Sequence, residues 1–515
     1  MTKRNLLRIV IGLGAVAWFT YNHFRPGADA PPVALAAPIP ANAKAFTLGS
    51  LEFRSCELKQ KRSGATTSAF CAPFAVAENP EAKEGRRIDL RLALIKSDAV
   101  AADSDIVVFL AGGPGQSAVD TWPQIAVAFA PLRKHHHVLL LDQRGTGESN
   151  PLTCKPGEEE SDEATGADAF DVERTHQRTR ECLAQVEKKA DARYYTTTIA
   201  ARDLEAVRQA LGSPRFDLVG VSYGTRMAQQ YLMRHPDGVR SVVLDSVAPN
   251  EIALGEDFAQ NLEEALRAQF ARCAQTPSCT RVFGDPYASL TKLRDQLRAQ
   301  PETFTFRDPV TYASTQRRMN EASFVGLVRM FAYSPETAAL LPLSIAEGLR
   351  GDYAPLAGQT QLLRGDMADL SDNGMQMSVI CSEDADLLMP RPQDANLMLG
   401  TFLVDGIRAM CDVWPHGTRP ADFHAPLKTD KPVLVLEGEL DPVTPPRYGE
   451  QVAKGLDNGR LLVAKGQGHN VIGRGCLPKL VDEFVHTLDA KGLDAKCLDV
   501  LGPMPAYIDF NGASP

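Results

Sequence analysis

Leu218-Val219-Gly220-Val221-Ser222-Tyr223-Gly224-Thr225 decides the fold of this chain. Phe216, Leu218 and Val219 are apolar and strand-forming, as in a buried β-strand. Arg226 to Met233 then continues as helix without a breaker. A serine between such a strand and such a helix sits on a turn too sharp for bulky neighbours. Gly220 and Gly224 are small where the two elements must approach. This is the context of a nucleophile elbow, which lifts the serine oxygen clear of the sheet's end.

Upstream, Ile106-Val107-Val108-Phe109-Leu110 and Val138-Leu139-Leu140-Leu141 are solidly apolar, as expected for strands covered on both faces. The first ends in Ala111-Gly112-Gly113-Pro114-Gly115 and the second in Asp142-Gln143-Arg144-Gly145-Thr146-Gly147-Glu148-Ser149. Two alternating runs, 51–58 and 87–95, predict antiparallel strands before them. Helices are expected at 170–187 and 199–211, the second stopping at Gly212, followed by a strand at Val242-Val243-Leu244-Asp245. Strand alternating with helix is the pattern of a mostly parallel α/β sheet flanked by helices. It lapses from about 250 to 425, where the sequence is almost wholly helical (256–274, 284–299, 320–332, 335–350, 386–410). Buried strands resume at Pro432-Val433-Leu434-Val435-Leu436 and Arg460-Leu461-Leu462-Val463, and a last helix is expected at 477–488.

The expected organisation is therefore a core in two parts, 46–250 and 426–515, with a helical cap at 251–425 inserted after the sixth strand. Such an insert lies over the carboxyl ends of the strands, where ligands bind in open α/β sheets. With 515 residues the chain exceeds what one compact core usually holds.

A serine hydroxyl needs a base, and the base an acid that orients it. Downstream of Ser222, Asp441 falls in the loop after one buried strand and His469, in Gly466-Gln467-Gly468-His469, in the loop after the next. The order Ser, Asp, His, each at a strand's end, is that of an α/β-hydrolase triad. Glu437 and Glu439 are the rival acids; Glu437 abuts the strand, so Glu439 is the closer rival. The oxyanion donors are expected from the backbone N–H groups of Tyr223 and of Gly113, within one residue of register.

Together, Ala-Gly-Gly-Pro-Gly, Asp-Gln-Arg-Gly-Thr-Gly-Glu-Ser, Gly-Val-Ser-Tyr-Gly-Thr, Gly-Glu-Leu-Asp-Pro-Val-Thr-Pro and Gly-Gln-Gly-His resemble the proline iminopeptidase and tripeptidyl aminopeptidase family of α/β-hydrolases. The segment holding Cys476 and Cys497 resembles the C-terminal region of secreted tripeptidyl-aminopeptidase-like members. The resemblance implies an α/β-hydrolase fold, the roles named for Ser222, Asp441 and His469, peptide substrates cut from a free amino terminus, and no cofactor. It also implies that acidic side chains of the cap hold the substrate's amino terminus, for which Glu383 and Asp384 are candidates. Many members have His before Gly-Gly-Pro-Gly; here it is Ala111. A carboxylesterase or lipase with the same triad is the alternative, and a catalytically silent binding module a third reading.

The net charge of −9 argues against nucleic-acid partners. His135-His136-His137 reads as the start of a strand rather than a metal site, since neighbouring side chains there face opposite ways. Lys3, Arg4 and Arg8 before an apolar run read as an export signal, or an uncleaved anchor through residues 6–21, followed by a Pro/Ala-rich linker at 22–45. Ten cysteines after such a leader imply disulfides and a periplasmic or extracellular location. Sequence does not fix their connectivity; nearest neighbours along the chain (56–71, 154–182, 273–279, 381–411, 476–497) are the expected pairs.

Overall fold

The apolar runs become the inner strands of one ten-stranded sheet in a computed structural model that describes residues 44–59, 66–154, 171–370 and 373–513. The export signal or anchor, nearly all of the 22–45 linker and the acidic stretch 157–168 lie outside the described residues. The strands are β1 (Ala45–Leu48), β2 (Leu51–Lys59), β3 (Thr66–Ala77), β4 (Arg87–Ile95), β5 (Ile106–Leu110), β6 (Val138–Leu141), β7 (Phe216–Val221) and β8 (Val239–Asp245). β9 (Glu302–Arg307) and β10 (Ser314–Met319) form a separate hairpin; β11 (Thr429–Gly438) and β12 (Leu456–Ala464) rejoin the main sheet. The sheet order is β1-β2-β3-β4-β6-β5-β7-β8-β11-β12. From β1 to β6 neighbours pair antiparallel, and from β6 to β12 parallel.

Period-2 geometry explains the long apolar runs of the inner strands, where polar residues such as Asp217 in β7 and Arg240 in β8 are paired with each other at 2.6 Å. In β5, Ile106, Val108 and Leu110 join the core on one face while Val107 and Phe109 join that on the other. β7 and β11 divide alike: Phe216, Leu218, Val433 and Val435 on the first face, Val219, Val221, Leu434 and Leu436 on the second. The helices Val172–Val186, Thr197–Leu211 and Leu477–Thr487 fall where expected, and Gly212 ends the second in the left-handed conformation.

Several expectations need correction. β1 and β3 were not foreseen, so the insert follows the eighth strand in chain order, not the sixth. The insert is not all helix: β9 and β10 form a polar antiparallel hairpin. Helices Ala354–Leu370 and Asn373–Glu383 stand where the sequence predicts none; 335–350 is two short helices and 386–410 holds only Phe402–Cys411 as α-helix. The insert also has an apolar core of its own, including Leu262, Leu266, Phe270, Leu293, Phe324 and Val328.

Five disulfides join Cys56–Cys71, Cys154–Cys182, Cys273–Cys279, Cys381–Cys411 and Cys476–Cys497, the nearest-neighbour pairs. They account for all ten cysteines of the sequence. No helix among the described residues is long and apolar enough to cross a membrane.

Candidate active site

Ser222 stands between β7 and the helix Tyr223–Arg234 with φ 55° and ψ −124°. A non-glycine residue there is strained, and the surroundings enforce it. A Cβ on Gly220 would lie 2.4 Å from the carbonyl oxygen of Gly224, and one on Gly224 2.1 Å from that of Leu110. Both glycines are therefore required by contact with backbone that cannot yield. The Ser222 N–H donates to the Asp245 carbonyl at 2.9 Å, tying the elbow to the end of β8.

Asp441 follows β11 and His469 follows β12, as expected. His469 Nδ1 lies 2.7 Å from Asp441 Oδ2, and both side chains are buried, at 4% and 0% exposure. The carboxylate is fixed from behind. Its Oδ1 accepts from the N–H groups of Val443 (2.8 Å) and Thr444 (2.9 Å), and its Oδ2 from the Thr444 hydroxyl (2.9 Å). With Nδ1–H directed at that carboxylate, Nε2 is left free to accept a proton.

The rival acids are engaged elsewhere. Glu437 is fully buried and accepts the Val247 N–H at 3.1 Å; burial, with the Asp441 charge adding, pushes its carboxyl well above the usual range. Glu439 accepts the Gly466 N–H at 2.6 Å and pairs with Arg272 at 2.9 Å. Burial alone would raise its pKa, but those two contacts outweigh it and hold the group low. It thus joins the cap helix Phe258–Gln275 to the loop that carries the histidine.

That loop has further supports that sequence did not reveal. Asp245 accepts the N–H groups of Val471 and Ile472, each at 2.9 Å, and Ser246 Oγ accepts that of Asn470 at 2.8 Å. Burial raises the Asp245 carboxyl to about 6. From the cap, the Tyr333 carbonyl accepts the His469 N–H at 2.7 Å, and the two rings meet edge to face at 5.2 Å. A Cβ on Gly468 would lie 2.2 Å from that carbonyl oxygen, so only glycine admits the approach. Thr444, three residues after Asp441, carried a readable signal, since Asp and Thr in a turn hydrogen-bond locally; Tyr333 carried none.

Gly113, Ser222, Tyr223, Ala253, Phe258 and Tyr448 line one cavity. Tyr223 opens its helix, so its N–H has no intrahelical partner and is available to an anion. Gly113, with φ 106°, presents bare backbone to the cavity it shares with the serine, while a Cβ on its neighbour Gly112 would lie 3.1 Å from the Ser222 Cβ. The turn it belongs to is braced from Asp142, whose Oδ1 accepts from Ser117 Oγ (2.7 Å) and Val119 N–H (3.0 Å) at the start of the helix Ala118–Ile125. That brace gives the turn support with Ala111 where many members of the resembled family have histidine. A larger cavity, lined by Phe270, Arg272, Leu440 and Gly466 among others, takes in none of the candidate catalytic side chains.

Glu383 and Asp384 do not line the serine's cavity, and this corrects their expected role. Both are fully buried. Thr197 donates to Glu383 from its N–H (2.6 Å) and hydroxyl (2.8 Å), and that hydroxyl also meets the Tyr223 phenol at 2.7 Å. Asp384 takes both its oxygens to Arg226 Nη1, at 3.1 and 2.9 Å. Both carboxyls are taken up by partners within the fold, and together they brace the helix that begins at Tyr223.

Burial, with the Asp384 charge adding, pushes Glu383 up to about 8. An unfolded glutamate titrates near 4.3, so the fold keeps a proton that the unfolded chain releases. The stabilisation is complete below about pH 4 and is lost as pH rises through about 8. The thermal midpoint should fall across that window, and Glu383→Gln should flatten the fall. A midpoint-versus-pH curve that is parallel in the two proteins would contradict the assignment.

The sheet and this constellation define the class: the chain is a serine hydrolase of the α/β-hydrolase fold. Residues 105–324 match the family model described as alpha/beta hydrolase fold, and residues 397–497 that described as TAP-like protein. It is, more narrowly, an α/β-hydrolase with a TAP-like C-terminal region. It is 25% identical over 468 residues to serine protease Hip1 of Mycobacterium tuberculosis, covering 84% of this chain and 88% of that one. It is 23% identical over 447 residues to the tripeptidyl aminopeptidase of Streptomyces coelicolor (82% and 81%). It is 26% identical over 458 residues to carboxylesterase B of M. tuberculosis (81% and 84%).

Proposed function

We propose that this chain is an exported serine exopeptidase that releases aminoacyl or short peptidyl units from the free amino terminus of peptides. The reading is supported above all by the 2.7 Å contact of His469 with Asp441 in loops beside the Ser222 elbow. His469 Nε2 takes the Ser222 proton as the serine oxygen attacks the scissile carbonyl, and Asp441 steadies the imidazolium. The oxyanion receives the N–H groups of Gly113 and Tyr223. His469 then gives its proton to the departing amine, and water releases the acyl group from Ser222. No step calls for a cofactor.

Peptide as the substrate class draws support from the similarity to proteins named serine protease and tripeptidyl aminopeptidase over most of the chain. Asp257 is a carboxylate of the cavity wall, but its Oδ1 pairs with Arg391 and its Oδ2 accepts from the Tyr448 hydroxyl at 2.8 Å, so a free substrate amine would have to share it with those partners. Ester hydrolysis is the second reading, favoured by the similarity to carboxylesterase B. Five disulfides fit export, with the product either released outside or held at the membrane through residues 6–21. Incubating the protein with mixed peptides and weighing the products by mass spectrometry tests the proposal. Loss of one to three residues from the amino end, abolished by N-acetylation, is expected; cleavage indifferent to that block, or of esters alone, would refute it.

A further inference from the structure

One ring away from the reacting groups stands a cation with no anionic partner. Arg329 lies in the cap helix Glu321–Phe331 and is half-buried. Its guanidinium carbon is 5.0 Å from the centroid of the Phe258 ring and 5.8 Å from that of Tyr333. Phe258 lines the cavity that holds Ser222, and Tyr333 packs on His469. Four arginines of the cap and its surroundings are paired with carboxylates, Arg272 with Glu439, Arg298 with Glu321, Arg391 with Asp257 and Arg447 with Glu264. Among the described residues, Arg329 has none within ion-pair distance, and what holds it is the faces of two aromatic rings.

That arrangement has a chemical consequence. Attraction to a ring face engages the positive charge and not the N–H edge, so the planar fork keeps its donors for an anion. A carboxylate matches that fork with two parallel hydrogen bonds. The position selects a side of the scissile bond. His469 must hand its proton to the leaving amine, so the leaving group departs past the histidine, whose ring meets that of Tyr333, and Arg329 lies over the Tyr333 ring.

We propose that Arg329 is a specificity-determining residue that receives a carboxylate on the leaving part of the substrate. That carboxylate is either the C-terminus of a short peptide or an acidic side chain beyond the cut. The proposal rests on the peptidase reading and names the substrates that site prefers.

The test uses the full chain and Arg329→Gln, on matched peptides ending in carboxylate or carboxamide, and on carboxamide peptides with Glu or Gln after the cut. For the unaltered protein, at least one charged member should show a KM about tenfold below its neutral counterpart. Which pair shows it tells terminus from side chain. The ratio should shrink as salt is raised, and R329Q should bring the two KM values together, whatever it does to both. A merely structural arginine would shift charged and neutral substrates alike. Equal KM values in the unaltered protein, or a ratio that survives R329Q, would overturn the proposal. If no peptide is cut but a p-nitrophenyl ester is, the peptidase reading has failed by itself. Inhibition of ester hydrolysis by the same peptides then decides: charged stronger than neutral, and lost in R329Q, upholds a carboxylate site, while its absence removes it.

Discussion

Ser222→Ala should lower turnover by about a millionfold and leave the fold standing. Loss of the nucleophile from a Ser-His-Asp unit costs nearly as much as loss of the whole unit, and what survives comes from the oxyanion donors and substrate binding. The strained backbone at φ 55° is imposed by the contacts of Gly220 and Gly224, which alanine does not touch. The thermal midpoint should therefore hold to within a degree or so while fluorophosphonate labelling disappears. Asp441→Asn is the informative companion. The carboxylate now accepts from two backbone N–H groups, the Thr444 hydroxyl and His469. An amide keeps one oxygen for the backbone pair only by turning its NH2 toward His469. That forces the ring into the wrong tautomer, for which about a 10⁴-fold loss is the precedent. Retention of more than a hundredth of the original rate by Ser222→Ala would remove that residue from the chemistry.

The parts of the molecule that sequence made legible share a physical cause. β5, β6 and the Val433–Leu436 stretch of β11 are covered on both faces, so each of those positions must be apolar, and an unbroken run is hard to mistake. The loops after such strands inherit their place at one rim of the sheet, which is why Asp441 and His469 could be named. β3 hid because its buried positions are mostly alanines, Ala69 and Ala72, Pro73 interrupts it, and it pairs antiparallel in the outer part of the sheet. The β9–β10 hairpin hid because its residues are mostly polar and face solvent. The helix Asn373–Glu383 hid for the opposite reason. From Gly374 onward it is buried on nearly every side, so it shows no apolar stripe of helical period. An acidic pair at the end of such a helix looks, in sequence, like a surface feature free to bind an amine. Burial and partners are tertiary facts, and here they reverse the role.

Asp384→Ala is therefore expected to act on stability and not on substrate recognition. Arg226, with its partner, is wholly shielded from water; it also donates to the carbonyls of Pro249 (3.1 Å) and Ile252 (2.5 Å), and its guanidinium lies over the Phe423 ring. Burial tends to raise the Asp384 carboxyl, and the Arg226 charge opposes that. Removing the carboxylate strands a buried cation, which costs about 3–5 kcal/mol. The helix that bears Arg226 starts at Tyr223, so the damage should appear as a lower thermal midpoint and a smaller active fraction. The folded remainder should keep the KM of the unaltered protein for peptides with a free amine. Replacing both partners with apolar residues of similar size, Arg226→Met with Asp384→Leu, should recover much of the loss, because an ion pair removed whole leaves no stranded charge. An unchanged midpoint in Asp384→Ala, with KM rising for free-amine peptides and not for N-acetylated ones, would return Asp384 to the substrate site.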